Sequence, residues 1–499
     1  ESISLSFLIE WADIRGATAE LLAHSAFMTM IERYLQQVLP IGSIPHYGDS
    51  DGWNVNWGAW IHIFEFAAAH TRDGRFRWAA HRLFQYSLLH IEDIFSWAYT
   101  GNHAIQSLMR AALVADDAIA PVAPKGSLSV AWRAGIALAP AGAPANRGIF
   151  RVVPERRIPA KVQMISDTSP DSTALQVELV PYAGHGPSVV TNLVALTDRG
   201  SVLLMDQGYK EAERQFHNVL LLEDYDGVPL HPEKESVGLI HATEAGPMVY
   251  AKLRVENYMG YPADLERVVV FAKAGAILIV DTLQFRETLR VRAGPVYNFG
   301  YLGPETGTGH GTNETWVNGY LGDFIAVKGI GAGQPVYTRW KNPPRDLLLY
   351  FRPMEDAEVH VHDRRPRDAT TPLPLGVQYR WRGTVSAGES VSMSTVLLPH
   401  TPTRVPSALA AEIFFAADTG SSTAVSVPTE AGGRVWLAAG PVKTGSIHSD
   451  AHAAVAVVTE GVVTRAGAAG GSRLEIGGRE VGGVIRGNPK TEATPTATR

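Results

Sequence analysis

Three residues near the middle of the chain combine the side-chain types of an acid–base or metal site with turn residues beside them. They are His185 in "AGHGPS", Asp206 in "LLMDQGY" and His217 in "QFHNVL". The patterns "TNLVALTD" and "SVLLMD" predict a hairpin about residues 198–200, which would carry Asp206 back to the end of the sheet where His185 lies. His217 would reach the same end from a third strand.

Two chemistries suit this set of side chains. Two imidazoles and a carboxylate can bind a zinc ion that keeps an open position. They can equally form a histidine base that a carboxylate holds in one tautomer. The chain has 17 histidines, so a chance pairing of two with an Asp is not rare. From the residues alone, the set is a candidate polar site.

A second candidate lies in "PHYGDSDGWNVNWGAW", residues 45–60. This stretch gathers tryptophans and polar groups in a loop and at the start of the helix that follows: His46, Tyr47, Asp49, Asp51, Trp53, Asn54, Asn56, Trp57 and Trp60. Asp51 or Asn54 would serve equally well as a helix N-cap. A ligand-facing role and a purely structural one both remain open here.

Three further motifs are weaker. "HVH" at His360 to His362 alternates as a metal pair on a strand would, but "DRRPRD" beside it favours an exposed edge. "GTGHGTNETW", residues 307–316, lacks the Lys-Ser/Thr of a phosphate loop and is interpreted as a surface loop. "GPVYNFGY", residues 294–301, offers aromatic rings to a sugar, although core aromatics fit the pattern as well.

The elements that position these residues change character along the chain. Aromatic and aliphatic residues recur every three or four positions in "FMTMIERYLQQVL", "WIHIFEFAAAH" and "FRWAAHRLFQYSLLHIEDIFSWAY", which predicts about five helices in residues 1–120. Residues 121–148 are rich in Ala, Pro and Gly and are interpreted as a linker.

From residue 149 onward the period is two. Alternating segments such as "ALQVELV" and "MVYAKLRV", separated by Gly, Pro and Asp, predict a large antiparallel β-sandwich over residues 149–400. Shorter strands rich in Ala and Gly predict a small β domain over 401–486. Residues 487–499 are expected to be a disordered tail. The fold class is therefore α+β with several domains.

Composition excludes several classes of function. The 44 basic and 50 acidic residues give a net charge of −6 without runs of either sign, which argues against a nucleic-acid partner. Without any cysteine, the chain has no disulfide and no thiolate site. No apolar run reaches the roughly 18 residues that span a bilayer. We expect a soluble, secreted or periplasmic protein whose signal peptide is not part of this chain.

Three segments, in the same order, resemble heparinase II/III-type polysaccharide lyases. "YAGHGPSVVTNLVALTDRGSVLLMDQGY" followed by "RQFHNVLLLED" is similar to their histidine-glycine turn, two strands, Asp-x-Gly and His-Asn. "YLQQVLPIGSIPHYGDSDGW" resembles the late part of their helical toroid, and "RVVVFAKAGAILIVDTL" their middle strands. The resemblance covers most of residues 25–400.

The resemblance implies an (α/α) toroid packed on an antiparallel β-sandwich, with the substrate cleft between them. It implies β-elimination at a uronic acid: the carboxylate is neutralised, a base removes the C5 proton, and an acid protonates the departing O4. His185 would be the sheet-side catalytic histidine, and Asp206 and His217 would occupy zinc-ligand positions. One structural zinc ion and no organic cofactor are expected.

This chain departs from the family pattern in two ways. Many members have His-x-His where this chain has Pro187, so His185 would be either the catalytic histidine or a zinc ligand. The toroid is also incomplete, so either a homodimer or a missing N-terminal fragment completes it, or other residues form the site. In the latter case Tyr47 ranks first.

The remaining site residues follow from the same expectation. His46, Asn56 and His103 are the further catalytic candidates. The substrate-binding candidates are Trp53, Asn54, Trp57, Asn102 and Arg214.

Three functions are open at this point. The leading one is a lyase that cleaves a uronic-acid-containing anionic polysaccharide. The second is a uronyl C5-epimerase, which shares the first step and returns a proton to C5. The third is a non-catalytic glycan-binding protein of the same fold.

Overall fold

The computed structural model describes most of the chain. The described residues are 2–45, 57–89, 98–138, 150–179, 190–206, 214, 217–225, 236–299, 301–302, 317–320, 324–328, 330–331, 345–363, 375–419, 422–487 and 490–491. They form an α+β structure of several layers, in which a helical layer is followed by antiparallel sheets.

The helical layer is built from amphipathic segments that bury one side. In the third helix, Phe27, Ile31 and Leu35 recur every four residues, and all three are buried. They share one core with Phe64 and Phe76 from two later helices. The six helices of this layer in the described residues are α1 (Ser2–Ile14), α2 (Thr18–Ala23), α3 (Ser25–Leu35), α4 (Trp57–Thr71), α5 (Gly74–Leu89) and α6 (Ala98–Val114).

The predicted linker is partly a strand. The first strand, β1, spans Leu128–Leu138 and pairs antiparallel with β2, Phe150–Ile165. The linker prediction is therefore wrong for these residues. The Ala, Pro and Gly content concealed an alternation of apolar side chains at Leu128, Val130 and Trp132. The bounds of the domains themselves remain predictions.

Three sheets form the β-sandwich. The helix-facing sheet has the order β1-β2-β3-β4-β5-β15, with β3 at Ala174–Glu178, β4 at Leu193–Asp198, β5 at Ser201–Met205 and β15 at Ile330–Gly331. The flanking sheet is formed by β13 (Val317–Tyr320), β17 (Ala357–Asp363), β18 (Leu375–Val385), β11 (Leu289–Phe299) and β6 (Leu220–Asp224).

The central sheet has nine strands. In spatial order they are β12 (Tyr301–Leu302), β14 (Phe324–Lys328), β16 (Asp346–Phe351), β19 (Ser390–His400), β10 (Ile277–Phe285), β9 (Ala263–Ala272), β8 (Met248–Glu256), β7 (Ser236–Ala245) and β30 (Lys490–Thr491). One core joins Val162 and Val177 of the helix-facing sheet, Phe271 of the central sheet and Tyr297 of the flanking sheet. The central sheet therefore faces both of the other sheets.

The predicted hairpin between β4 and β5 is confirmed. Asp198 pairs with Ser201, and the two residues between them, Arg199 and Gly200, have φ angles of 44° and 76°. Positive φ at both positions is the geometry of a type I′ turn, which matches the twist of the two strands. The turn returns the chain to the edge at which Asp206 follows β5.

The C-terminal β region packs on the other face of the central sheet. Val425 and Val455 share a core with Tyr250 and Leu278 of the central sheet. The region contains α7 (Pro406–Ala411), β20 (Phe414–Thr419), β21 (Ser422–Pro428), β22 (Arg434–Ala439), β23 (Val442–Lys443), β24 (Ile447–Ser449), β25 (Ala453–Thr459), β26 (Val462–Ala469), β27 (Leu474–Ile476), β28 (Arg479–Glu480) and β29 (Ile485–Gly487).

The predicted tail is not disordered at its start. Lys490 and Thr491 form β30 and pair with Ala242 and His241 of β7. Pairing with the exposed edge of the central sheet supplies backbone hydrogen bonds that composition did not reveal. Residues 492–499 lie outside the described residues. In the part of the chain that the structure describes, no helix combines the length and apolarity needed to cross a membrane.

Candidate functional site

Asp206 and His217 meet in a buried position. Asp206 directly follows β5, and its backbone N–H donates to Val194. His217 precedes β6, and its backbone N–H donates to the carbonyl of Arg214. The His217 Nδ1 atom lies 2.7 Å from Asp206 Oδ2, and the two residues are 3% and 1% exposed. The prediction that β5 and β6 bring these two residues together is thus confirmed.

An ionised carboxylate only accepts hydrogen bonds, so the contact places the proton of a neutral His217 on Nδ1. The pair therefore has the geometry of an imidazole oriented by a carboxylate. This arrangement serves both a histidine that acts in proton transfer and one that binds a metal, because each needs a defined tautomer.

Three buried asparagines hold this pair in place. Asn192 Nδ2 donates to Asp206 Oδ2 at 2.5 Å, and Asn192 Oδ1 accepts from the backbone of Asn218 at 2.9 Å. Asn218 Oδ1 in turn accepts from the backbone of Asn298 at 2.5 Å. The network connects β5, β6 and β11 through buried groups, so it restricts the rotation of the Asp206 carboxylate.

The backbone next to this network is strained. Thr191 has a φ of 63°, which is unusual for a β-branched residue. The guanidinium of Arg267 donates to the Thr191 carbonyl at 2.6 Å and pairs with Asp281 at 2.6 Å. All three residues are buried. The Arg267–Asp281 pair therefore supports a costly conformation at the residue before Asn192, and such strain persists only where its surroundings fix it.

A buried ion pair lies close to the same site. Lys161 Nζ is 3.3 Å from Glu178 Oε2, and both side chains are almost inaccessible. Burial lowers the pKa of Lys161, whereas Glu178 raises it. Arg33 of α3 also lowers this pKa, and Asp206 raises it, so Lys161 is within electrostatic reach of both. The ion pair thus lies where the helical layer approaches the Asp206–His217 pair.

Two glutamines fasten the helical layer to the sheet. Gln163 Nε2 donates to the Val38 carbonyl at 3.1 Å, and Gln176 Nε2 donates to the Gln37 carbonyl at 3.3 Å. These carbonyls follow the end of α3, where the last backbone acceptors need partners. The glutamines and Lys161–Glu178 form a polar row on β2 and β3 that faces the helices.

A cavity of about 480 Å³ opens along this boundary. Its walls come from the end of α3, from Arg75 and Trp78 of α5, from residues 122–130 and from Gln163. The described residues thus contain a cleft between helices and sheet, with charged and aromatic side chains on the helical side.

Several predicted site residues cannot be placed. His46, Tyr47, Trp53, Asn54, Asn56 and His185 lie outside the described residues. Trp57 begins α4, and Asn102 and His103 belong to α6, but their side chains are not described. Arg214 is half-buried, and burial raises the pKa of Tyr261 while the charge of Arg214 lowers it. The roles of all these residues remain predictions.

The donor types of the pair fit part of a zinc site. Carboxylate oxygen and imidazole nitrogen are common zinc ligands, and the two side chains already converge. The third expected ligand, His185, is outside the described residues, within which no group of three metal-ligating side chains occurs. Zinc binding therefore stays a prediction.

Two weaker motifs are resolved by the structure. His360 is not on an exposed edge: β17 lies between β13 and β18, and His360 is buried with Nε2 2.6 Å from Glu358 Oε1. In "GPVYNFGY", Tyr297 and Phe299 are core residues, which confirms the core interpretation and leaves these rings unavailable to a sugar. The loop at residues 307–316 is outside the described residues.

Five buried residues of this region were not predicted from the sequence: Asn192, Asn218, Asn298, Lys161 and Glu178. A signal existed for Lys161 and Glu178, because "AKVQMI" and "ALQVELV" place polar residues at alternate positions of strands that are otherwise apolar. Such alternation usually marks a solvent-facing side. Here the helical layer covers that side, so only the fold reveals that the residues are buried.

Comparison with known structures shows which fold this is. A heparinase III structure aligns over 88% of this chain and 58% of its own, with a TM-score of 0.52 and 11% identity. The fold is heparinase III-like. A second heparinase III structure, with methylated lysines, has the same TM-score and 11% identity, and it covers 87% of this chain and 55% of its own.

The similarity between this chain and these structures concerns the fold alone. This chain spans little more than half the length of these solved structures. No protein-family model matches the sequence, and no curated protein matches it either.

Proposed function

We propose that this protein is a polysaccharide lyase that cleaves a uronic-acid-containing anionic polysaccharide by β-elimination. The observation that carries the proposal is the buried Asp206–His217 pair, which lies beside the helix–sheet boundary of a heparinase III-like fold. A polar network of this kind is expensive to bury, and proteins retain such networks where a side chain must keep one orientation.

The reaction sets three physical demands. The C5 proton of a uronate is barely acidic until the charge of the neighbouring carboxylate is masked by hydrogen-bond donors or cations. A base must then remove this proton, and an acid must protonate the leaving O4 atom. We assign the sheet-side proton transfer to His185 and the helix-side transfer to Tyr47. His46, Asn56 and His103 are the further candidates for masking the carboxylate.

In this proposal, Asp206 and His217 hold each other's side chains in a fixed orientation. The Asn192 and His217 hydrogen bonds fix the carboxylate, and the carboxylate fixes the imidazole. In the alternative in which His185 is a zinc ligand and not the proton-transfer group, it would hold the expected zinc ion together with Asp206 and His217. When bound, that ion would supply positive charge at the edge of the sheet. Metal analysis of the purified protein tests this part, with about one zinc per chain as the expected result and none in Asp206→Ala.

The activity is tested with a panel of uronate polymers. β-Elimination leaves an unsaturated uronate end that absorbs in the ultraviolet, so cleavage is followed by absorbance. We expect at least one polymer to be cleaved, and we expect His185→Ala to abolish cleavage. The exposed His24→Ala is the matched control and should keep full activity.

Other outcomes would replace the proposal. Exchange of the C5 proton with deuterated solvent, without cleavage, would identify an epimerase. Binding of a polymer without exchange or cleavage would identify a glycan-binding protein. Cleavage that survives His185→Ala would refute the residue assignment.

A further inference from the structure

Four arginines share the outward face of the flanking sheet. Val291, Ala293 and Val385 point inward and join a core with the central sheet. Because side chains alternate along a strand, the residues between them point the other way. These outward residues include Arg290 and Arg292 on β11 and Arg380 and Arg382 on β18.

The strand register places like charges against each other. Arg292 lies directly opposite Arg382 across the β11–β18 pair. Like charges in such positions destabilise a sheet. The described carboxylates near this face include Glu223, which lies opposite Arg292, and Glu358, which lies opposite Arg380 and 3.3 Å from Arg382. Asp356 lines the same cavity as Arg290 and Arg382.

The pKa values of two groups in this region reflect their burial and the positive charges around them. The pKa of Arg380 is lowered to about 10 by burial and by the charges of Arg382 and Arg292, which together outweigh Glu223 and Glu358. Burial raises the pKa of Glu223, which disfavours its negative charge. Among the described residues, no carboxylate lies within ion-pair distance of Arg290 or Arg292. A bound anion would relieve this imbalance.

An aromatic ring and an open cavity lie beside the guanidinium groups. Arg290 Cζ lies 3.4 Å from the centre of the Tyr225 ring, and Arg292 Cζ lies 5.8 Å from it. The Nε atoms of Arg292 and Arg382 are buried and have no hydrogen-bond acceptor within the described parts of the chain. An open cavity of about 620 Å³ lies at this point and is lined by Tyr225, Arg290, Arg382 and Thr384 together with Asp356 and Glu358.

We propose that Arg290, Arg292 and Arg382, with the buried Arg380 beside them, form a second binding site, which takes the acidic groups of a polysaccharide chain outside the cleft. Guanidinium groups match carboxylate and sulfate in shape and charge, and neighbouring arginines suit a polymer that repeats its acidic groups. This site is separate from the asparagine network around Asp206 and His217. Arg292 and Asn298 are six residues apart on β11, which is about 20 Å at about 3.3 Å per residue.

The choice of a polysaccharide as the ligand rests on the proposed function, whereas anion binding rests on the arginines alone. The two probes are heparin, which carries sulfates, and polygalacturonate, which carries only carboxylates. Binding to each is measured at physiological salt with the intact chain and with Arg292→Gln/Arg382→Gln. The control is Lys443→Gln/Arg479→Gln, which removes the same charge from exposed positions of the C-terminal β region.

We expect the double variant to bind at least one probe about tenfold or more weakly, because charge-assisted hydrogen bonds are lost. The control should stay within about twofold of the intact chain. Bound polymer should also slow hydrogen exchange in β11 and β18 of the intact chain but not of the double variant. Loss for heparin alone would identify sulfate as the recognised group, and loss for both would identify any acidic group.

Thermal unfolding separates this site from a structural role. The double variant removes a repulsive pair together with the Arg382–Glu358 ion pair, so without polymer its unfolding temperature should stay close to that of the intact chain. Unfolding of the double variant at room temperature, or binding equal to the control's, would overturn the inference. If no polymer is cleaved but the double variant loses binding, the proposed function fails and this site stands. If polymer is cleaved and the variant binds as the control does, only this site fails.

Discussion

At the scale of single residues, the sequence shows which side chains are able to do chemistry, and the structure shows which of them are in contact. The sequence identified Asp206 and His217 as residues able to bind a metal or move a proton, and the two do meet at 2.7 Å. It did not identify Asn192, Asn218 or Asn298, because an asparagine beside a strand looks the same whether it ends a turn or completes a buried network. The difference depends on contacts between distant segments.

The network predicts the effect of removing its central acceptor. Asp206→Ala leaves His217 Nδ1 and Asn192 Nδ2 buried without their acceptor. We expect the free energy of unfolding to fall by about 2 to 4 kcal/mol, measured by urea denaturation. Asp13→Ala, at an exposed position, is the control and should change stability by less than about 0.5 kcal/mol. Equal stability of the two variants would show that the pair is not tightly bonded.

A second prediction concerns His62 in the helical core. Burial and then the charge of Arg110 lower its pKa from 6.5 to about 4, and Nδ1 lies 2.7 Å from Ser6 Oγ. The unfolded chain therefore binds a proton at this residue more readily than the folded chain does. Stability should fall as pH decreases from about 6.5 to about 4, with a contribution on the order of 3 kcal/mol.

The check is the pH dependence of unfolding in His62→Gln. This variant should lose stability less steeply over that window, while the exposed His24→Gln should keep the slope of the intact chain. Identical slopes in the intact chain and His62→Gln would show that His62 does not titrate differently on folding.

At the scale of elements, sequence patterns predicted those elements whose conformation depends on residues nearby in the chain. The β4–β5 hairpin follows from "DRG" between two alternating segments, and its turn has the expected geometry. The strand β1 was missed because its composition resembles a linker, and its pairing with β2 decides its conformation. The start of the tail was missed for the same reason, since β30 is stabilised by the edge of β7.

The hairpin makes a prediction at this scale. Gly200→Ala places a side chain at a φ of 76°, so we expect a loss of about 1 kcal/mol of stability. Gly482→Ala is the control, because a Cβ there meets no atom within 4 Å. Urea denaturation of both variants provides the measurement. If Gly200→Ala leaves the free energy of unfolding unchanged, the turn is not of type I′.

At the scale of the whole molecule, layers of sheet pack one on another. Sequence patterns predicted the order of helices, sandwich and C-terminal β region, because each has its own period and composition. They could not predict which faces meet. The core shared by Val425, Val455 and Tyr250 depends on contacts between segments about 200 residues apart.

This packing is tested at Gly467 of β26. A Cβ there would lie 2.0 Å from the Ala245 carbonyl oxygen of the central sheet. We expect Gly467→Ala to lower stability by about 2 kcal/mol and to speed proteolysis of the C-terminal β region. Gly445→Ala, where a Cβ meets no atom within 4 Å, should do neither. If the two variants behave alike, the two layers are not in this close contact.

We propose that this protein, with its heparinase III-like fold, catalyses β-elimination on an acidic polysaccharide. The most direct measurement is mass spectrometry of the products formed from the uronate polymers in water labelled with heavy oxygen. Elimination breaks the bond without adding water, so we predict unsaturated products that carry no label. Labelled saturated products would show hydrolysis, and intact polymer throughout the panel would show no cleavage. Either result would refute β-elimination as the activity of this protein.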